Sequence, residues 1–180
     1  MSAPADVMKL KICMAGEAAV GKSSLIRRYV LDEYDDRYTA TLGTKITKKS
    51  LTTKDPNGAS LSVNMILWDI MGTSTLRELL KEAYYHGAQG ILAVADLTRR
   101  ETLVELDGWA RSIRSVAGDI PTFAVVNKTD LEKDRQLTHG EVEAFFRHRG
   151  WPWSYSSAKT GAGVEDSFRG LVERVLSNRE

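Results

Sequence analysis

The stretch Gly16–Ser24 has the residue types and spacing that hold a phosphate group. It reads G-E-A-A-V-G-K-S-S, with two glycines five positions apart followed by a lysine and two serines. Glycine lets the backbone turn tightly, so that several N–H groups point at one anion. A helix that begins at Lys22 adds the positive end of its dipole at the same place. The pattern therefore predicts a phosphate-binding loop between a strand and a helix.

Two side chains of this loop have specific chemistry. We expect the Lys22 ammonium to reach the β- and γ-phosphates of a nucleotide and the Ser23 hydroxyl to ligate Mg²⁺. The spacing alone leaves open a chance glycine-rich turn, and it does not distinguish an adenine-nucleotide kinase from a guanine-nucleotide switch. The residues expected around the phosphates are Gly16, Glu17, Ala18, Ala19, Val20, Gly21, Lys22, Ser23 and Ser24.

Two later loops have residues that suit a guanine base. In Asn127-Lys128-Thr129-Asp130 the Asp130 carboxylate can accept hydrogen bonds from N1–H and the exocyclic amine of guanine, whereas adenine has a lone pair at N1. A site built on such bonds discriminates by roughly 10⁴-fold. The Lys128 stem can lie along the base. A polar loop after a strand explains this tetrapeptide equally well when it is taken alone.

The second loop is Ser156-Ser157-Ala158-Lys159. Here we expect the Ala158 N–H to face the guanine carbonyl, flanked by Ser157 and Lys159. Alone, this loop is weak support, but it follows the two earlier motifs in order.

The elements that must position these loops alternate between strands and helices. Asp55-Pro56-Asn57-Gly58 predicts a hairpin turn, and Thr98 with Glu101 and Thr138 with Glu141 spell capping boxes. Strands are predicted at Leu10–Ala15, Lys45–Thr53, Leu61–Trp68, Gly90–Asp96, Thr122–Asn127 and Trp153–Ser156. Helices are predicted at Lys22–Leu31, Leu76–Tyr85, Thr102–Val116, Glu141–Arg149 and Val164–Leu176.

This alternation predicts the α/β class. We expect a six-stranded, mostly parallel sheet with one antiparallel edge strand and helices on both faces. Ligands of such sheets bind at the carboxyl ends of the strands. The three loops described above all follow strands directly, so they should meet at that edge.

The ordered motifs resemble the Ras superfamily of small GTPases, and within it the Rab branch. The resemblance covers almost the whole chain. The matching stretches read GEAAVGKSSLIRRYV, YDDRYTATLG, WDIMG, AYYHGAQGILAVADLT, NKTDL and SSAK. It implies the P-loop small GTPase fold as a single domain over residues 1–180, with residues 1–7 as a short N-terminal extension, and it implies GTP or GDP with Mg²⁺ as cofactors.

The resemblance also assigns roles within two switch segments. Tyr34 would stack on the guanine edge, with Tyr38 also beside the nucleotide. Thr41 would ligate Mg²⁺ and sense the γ-phosphate, Asp69 would hold the Mg²⁺ water shell, and the Gly72 N–H would bond the γ-phosphate. The metal ligands implied are thus Ser23, Thr41 and Asp69, and the groups implied in catalysis are Lys22, Thr41, Gly72 and Thr73.

The second switch departs from the family pattern. The family spells it D-T-A-G-Q, whereas this chain has Asp69-Ile70-Met71-Gly72-Thr73. The glutamine that orients the attacking water is absent, and the segment is one residue longer before Tyr84, so either Thr73 or Ser74 aligns with it. We therefore expect slow intrinsic GTP hydrolysis. The alternative is a nucleotide-stabilised interaction module without useful hydrolysis, and a metabolite kinase fits poorly.

Apolar residues near the switches suggest a surface for effectors and regulators. We expect Trp68 and Ile46 to pack in the core, and leave Leu42 and Leu76 open between core and partner binding. The arginines Arg77, Arg99 and Arg100 are interpreted as solvated.

Composition places bounds on the remaining functions. The chain has 180 residues and a net charge of +1, which gives no basic surface for nucleic acid. The one cysteine, Cys13, fits a reducing compartment. The sequence shows no signal-peptide pattern and no prenylation cysteine. We expect a cytoplasmic monomer whose visible tail does not support membrane association.

Overall fold

A computed structural model describes residues 7–37, 43–70 and 74–179. The strands are β1 (Val7–Ala15), β2 (Thr44–Lys54), β3 (Ser60–Ile70), β4 (Gly90–Asp96), β5 (Thr122–Asn127) and β6 (Trp153–Tyr155). The α-helices are α1 (Lys22–Leu31), α2 (Ser74–Tyr85), α3 (Glu101–Val104), α4 (Leu106–Ala117), α5 (His139–Arg149) and α6 (Val164–Ser177). A 3₁₀ segment, Thr129–Asp134, follows β5.

The six strands form one sheet in the order β2-β3-β1-β4-β5-β6. β2 pairs antiparallel with β3, and the other pairs are parallel. This confirms the predicted sheet with one antiparallel edge strand. Because β1, β4 and β5 are neighbours, the loops that follow Ala15, Asp96 and Asn127 lie side by side.

Two apolar layers cover the sheet. On one face α1 and α6 pack on it, with Leu25 and Phe168 buried in the layer and Tyr29 stacked on Phe168 at 4.2 Å between ring centroids. On the other face α4 and α5 bury Trp109 and Phe146. Helices on both faces are the arrangement that mostly parallel sheets require, since neither face can be left to water.

The prediction of one continuous helix over residues 102–116 is wrong, although its start lies within one residue of the observed one. The chain instead forms α3 and α4, separated at Glu105. The Thr98–Glu101 capping box is also wrong, because the Thr98 hydroxyl donates to Asp96 Oδ1 at 2.7 Å and no side chain caps α3. The Thr138–Glu141 capping box at α5 is confirmed.

The remaining elements follow the predictions closely. β1 begins at Val7 rather than at Leu10, and α1 has the predicted bounds. The Asp55–Gly58 turn joins β2 and β3, where the Gly58 N–H donates to the Asp55 carbonyl at 2.9 Å. In the part of the chain that the structure describes, no helix is long and apolar enough to cross a bilayer.

Several predicted switch residues lie outside the described residues. They are Tyr38, Thr41, Leu42, Met71, Gly72 and Thr73. The core position predicted for Ile46 is wrong, since this residue is 54% exposed on the edge strand β2. Trp68 is half-buried and packs against the α4/α5 layer, as predicted.

Candidate functional site

The predicted phosphate loop connects β1 to α1 at the carboxyl edge of the sheet. Gly16 has φ +142°, and a Cβ there would lie 2.3 Å from the Val94 carbonyl oxygen. Gly21, the residue before α1, has φ +104°, and its Cβ would lie 2.3 Å from Asn127 Nδ2. Both glycines are therefore required by backbone conformation and by neighbouring strands. The strand–turn–helix context predicted for this loop is confirmed.

Lys22 is buried inside the loop, with 6% of its surface exposed. Its ammonium donates to the carbonyl oxygens of Gly16, at 2.6 Å, and Glu17, at 2.9 Å. Burial lowers the pKa of Lys22 to about 8, although the nearby carboxylates of Asp69 and Glu17 oppose that shift. The lysine is thus held at the centre of the loop by backbone oxygens.

The hydroxyl of Ser23 and the carboxylate of Asp69 come together beside Lys22. Ser23 Oγ donates to Asp69 Oδ2, which joins the first turn of α1 to the end of β3. Hydroxyl and carboxylate oxygens are the hard donors that Mg²⁺ prefers. This donor set fits the predicted Mg²⁺ site, whose third predicted ligand, Thr41, lies outside the described residues.

Asn127 connects the phosphate loop to the Ser156–Lys159 loop. Its Nδ2 donates to the Val20 carbonyl at 3.0 Å, and its Oδ1 accepts from Ser156 Oγ at 3.1 Å and from the Ala158 N–H at 3.2 Å. Asn127 is 2% exposed. The Ala158 N–H, expected to face guanine, is therefore bonded to Asn127 in this arrangement. One buried amide sets the relative position of the two loops.

Asp130 lies in the 3₁₀ segment after Asn127. Its Oδ1 accepts a 2.6 Å hydrogen bond from Ser157 Oγ, which ties the two predicted base-reading loops together. Burial raises the pKa of the Tyr34 phenol, and the negative charges of Asp36 and Asp130 add to that shift. Tyr34 and Asp130 thus lie within electrostatic reach of each other.

Arg28 of α1 binds the backbone of the Ser156–Lys159 loop. Its Nε donates to the Ala158 carbonyl at 2.8 Å and its NH2 donates to the Lys159 carbonyl at 2.5 Å. The Lys159 ammonium itself reaches Asp36 at 3.9 Å. Arg28 therefore fixes this loop through hydrogen bonds to two of its backbone carbonyls.

Asp96, the last residue of β4, is a site residue that sequence reasoning missed. Its buried carboxylate lies 2.7 Å from the Lys128 ammonium and 3.2 Å from Arg99 Nε. Lys128 in turn donates to the Ala19 carbonyl, and Arg99 NH2 donates to the Ala18 carbonyl, both at 2.7 Å. Asp96 thus positions two cationic side chains, both of which donate hydrogen bonds to carbonyl groups of the phosphate loop. Its position at the carboxyl end of a central strand, where ligands of such sheets bind, could have identified it from the sequence.

The interpretation of the arginines as solvated is wrong for Arg77 and Arg99, whereas the Arg100 side chain is 56% exposed, as predicted. Arg99 donates a hydrogen bond to the Ala18 carbonyl of the phosphate loop, and Arg100 NH2 donates to the Gln136 carbonyl at 2.8 Å. The Arg77 side chain is 13% exposed, and its guanidinium lies 4.0 Å from the centroid of the Trp109 ring. Arg77 therefore docks α2 on α4.

The three predicted motifs come together at one edge of the sheet, and comparison with known proteins agrees with that arrangement. Residues 11–177 match the sequence model of the Ras family. Rab-18-B of Danio rerio is 36% identical over 169 residues, which cover 93% of this chain and 79% of that protein. The chain belongs to the Ras family of small GTPases. Rab-2B of Dictyostelium discoideum is 30% identical over 171 residues, which cover 94% of this chain and 82% of that protein. Rab-21 of Bos taurus is also 30% identical over 171 residues, which cover 94% of this chain and 74% of that protein.

Membership of the Ras family confirms the resemblance that the motifs indicated. This Rab-like small GTPase is a GTP-binding protein of the GTPase class. Ras-family proteins bind GTP or GDP together with Mg²⁺, which suits the hydroxyl and carboxylate donors described above. The metabolite-kinase interpretation does not fit a Ras-family chain.

Proposed function

We propose that this Ras-family protein is a molecular switch that binds guanine nucleotide and hydrolyses GTP slowly. The observation that carries the proposal is the Asn127 side chain, which joins Val20 of the phosphate loop to Ala158 of the predicted guanine loop. One nucleotide can therefore contact both loops at once. In this proposal Lys22 and the loop N–H groups bind the phosphates, and Asp130 reads the base.

The proposed chemistry is in-line attack of water on the γ-phosphate. The Lys22 ammonium and the N–H groups at the start of α1 stabilise the charge that develops on the phosphate oxygens. The burial of Lys22 makes this stabilisation stronger than it would be in water, since the surrounding dielectric constant is low. Ser23, Thr41 and Asp69 would hold Mg²⁺, which would supply further positive charge beside the phosphates. Gly72 contributes its N–H to the γ-phosphate.

We propose that the residue at the glutamine position makes hydrolysis slow. A threonine hydroxyl is shorter than a glutamine amide and cannot span the γ-phosphate and the water together. Ras, which has that glutamine, turns over unaided at about 10⁻⁴ s⁻¹. The protein should therefore be no faster than this without a partner.

Single-turnover hydrolysis of preloaded GTP with Mg²⁺, followed over hours, tests this proposal. Thr73→Gln should accelerate conversion to GDP, and Ser74→Gln should do so if Ser74 is the aligned residue. Thr75→Gln, at an exposed position one residue further along α2, is the matched control and should leave the rate unchanged. If neither Thr73→Gln nor Ser74→Gln changes a slow rate, the missing glutamine is not its cause.

The alternative is an interaction module that holds nucleotide without useful hydrolysis. The altered sequence Asp69-Ile70-Met71-Gly72-Thr73 favours it, because the bulk of Met71 can displace Gly72 from the γ-phosphate. Undetectable conversion over hours, together with equal partner binding in the GDP and GTP forms, would establish the module. Measurable conversion with GTP-dependent partner binding establishes the switch.

Guanine specificity has its own test. Asp130→Asn removes the charge that accepts from guanine, so GDP affinity should fall by about 100-fold or more, since hydrogen bonds to charged groups contribute about 1.5–3 kcal/mol each. Asp134→Asn, at the exposed end of the same 3₁₀ segment, is the matched control. An unchanged GDP affinity in Asp130→Asn would remove this residue from the base site.

We also propose that effectors and regulators bind beside the switches of a cytoplasmic monomer. Exposed apolar side chains support this, since Leu79 of α2 is 74% exposed, Leu80 is 41% exposed and Ile46 of β2 is 54% exposed. Leu79→Asp should abolish a GTP-dependent pull-down and leave nucleotide binding intact. A pull-down that survives Leu79→Asp, Leu80→Asp and Ile46→Asp would place the partner surface elsewhere.

A further inference from the structure

A basic groove lies between α4 and α5, away from the nucleotide site. Its cavity of ≈ 520 Å³ is lined by the side chains of Arg111, Arg114, Arg149 and Asp107, with Trp151 as an aromatic wall. Arg114 NH2 donates to Thr122 Oγ1 at 2.9 Å, and Thr122 is the first residue of β5. The Arg114 end of the groove is thus beside the amino end of β5.

The charge of this groove is unusual for the chain. Three arginines line it and only one acidic residue does, whereas the whole protein has a net charge of +1. The Asp107 carboxylate is bound by Arg149 Nε at 2.6 Å and by its NH2 at 2.5 Å. The acid and one arginine therefore neutralise each other. The positive charge that remains is that of Arg111 and of Arg114, whose one ion pair is with the exposed carboxylate of Asp119 at 3.7 Å.

Neither remaining arginine has all its donors in use. Arg114 Nε is buried without a hydrogen-bond partner, and its nearest acid, Asp119, is 3.7 Å away and almost fully exposed. Within the described residues, Arg111 is exposed and forms no hydrogen bond or ion pair. A buried N–H without an acceptor is unfavourable in proteins, and a bound anion is one of the ways in which it is satisfied.

We propose that this groove binds the phosphate group of a small anionic ligand, held by Arg111 and Arg114. Guanidinium groups match phosphate oxygens in geometry and charge. The cavity has the size of small-molecule sites, and the Trp151 ring offers an apolar wall for the rest of the ligand. Arg149 is bound by Asp107 and donates to the Phe145 carbonyl at 2.7 Å. In this proposal it therefore forms part of the wall of the groove and does not bind the phosphate.

The test uses the protein loaded with GDP and Mg²⁺, so that the phosphates of GDP already occupy the phosphate loop. Two-dimensional ¹H–¹⁵N spectra resolve arginine Nε–H and tryptophan indole N–H signals. On titration with inorganic phosphate, the Arg114 Nε–H and Trp151 signals should move and saturate, and the Trp109 signal beside the phosphate loop should stay in place. Shifts that grow linearly with phosphate concentration, without saturation, would overturn the proposal.

Arg111→Gln is the decisive variant, because Arg111 has no contact on which folding depends. It should weaken phosphate binding by at least about fivefold, the effect of losing about 1 kcal/mol of attraction. Arg147→Gln, on the exposed side of α5 with only Glu143 at 3.7 Å, should bind as the parent does. Equal affinity in the parent and Arg111→Gln overturns the proposal. Equal affinity for acetate and phosphate overturns the assignment to phosphate.

Discussion

The indole Nε1–H of Trp109 donates a 2.8 Å hydrogen bond to the carboxylate of Glu17. Trp109 lies on α4 and is 1% exposed, and Glu17 is the second residue of the phosphate loop. The guanidinium of Arg77 packs over the same ring. The Trp109 side chain therefore contacts both the phosphate loop and α2, so a movement of Arg77 would change the packing of the ring that binds Glu17.

Trp109→Phe should destabilise the protein by about 1–3 kcal/mol, since the Glu17 carboxylate loses a donor and the ring loses area. Trp68→Phe is the matched control, because its buried indole N–H has no hydrogen-bond partner among the described residues. Urea unfolding of the GDP-loaded protein, followed by circular dichroism, compares the two. Equal losses of stability would mean that the bond to Glu17 contributes nothing.

Asp96→Asn should accelerate GDP release by about 10-fold or more. Burial raises the pKa of the Asp96 carboxyl, but hydrogen bonds from Lys128 and Thr98 outweigh that effect and keep its pKa below the usual value. Asp96 is therefore ionised at neutral pH, and its charge holds Lys128 and Arg99 on the loop carbonyls. A neutral amide would weaken both charge-assisted bonds, each about twice as strong as a neutral one.

Release of a fluorescent GDP analogue into excess unlabelled GDP measures this effect. Asp107→Asn removes a carboxylate that also binds arginine, but one that makes no contact with the phosphate loop. It should leave the release rate unchanged. Equal rates in the parent, Asp96→Asn and Asp107→Asn would show that Asp96 does not support the nucleotide site.

The sequence predicted the local motifs better than the contacts between them. The phosphate loop and the strands could be read because their signals lie within a few neighbouring residues. The role of Arg99 could not, because its partner Ala18 is 81 positions away. A core position was predicted for Ile46, but β2 is the edge strand of the sheet and leaves this residue 54% exposed. Thr98 does not cap α3, because the helix begins at Glu101 and Arg100 occupies its N-cap position.

Cys13 should be unreactive in the folded protein. Its thiol is buried in the middle of β1, and burial raises the pKa of the thiol to about 12, with the charge of Lys11 opposing. The thiolate is the reactive form, so labelling by a disulfide reagent at pH 8 should need unfolding. Rapid labelling of the native protein, at the rate measured in urea, would contradict this.

The same shift has a consequence for stability. The folded state keeps the Cys13 proton up to a higher pH than the unfolded chain, whose thiol has the ordinary pKa of 9.0. The contribution of Cys13 to stability is therefore complete below pH 9 and is lost as the pH rises towards 12. Cys13→Ser should reduce this alkaline loss of stability in urea titrations, and an unchanged loss would assign it to other groups.

Gly21→Ala should disrupt the connection between the phosphate loop and the base loop. At φ +104° a side chain is strained, and its Cβ would lie 2.3 Å from Asn127 Nδ2, so Asn127 must move and lose its 3.0 Å bond to the Val20 carbonyl. Backbone strain of this kind costs about 1–3 kcal/mol. Gly140→Ala is the matched control, because Gly140 lies in α5 with open space around it, and there alanine should stabilise by about 0.5–1 kcal/mol. The free energy of unfolding, measured in urea, and the GDP affinity should both fall in Gly21→Ala only. If the two variants behaved alike, the close approach of Gly21 to Asn127 would not constrain the loop.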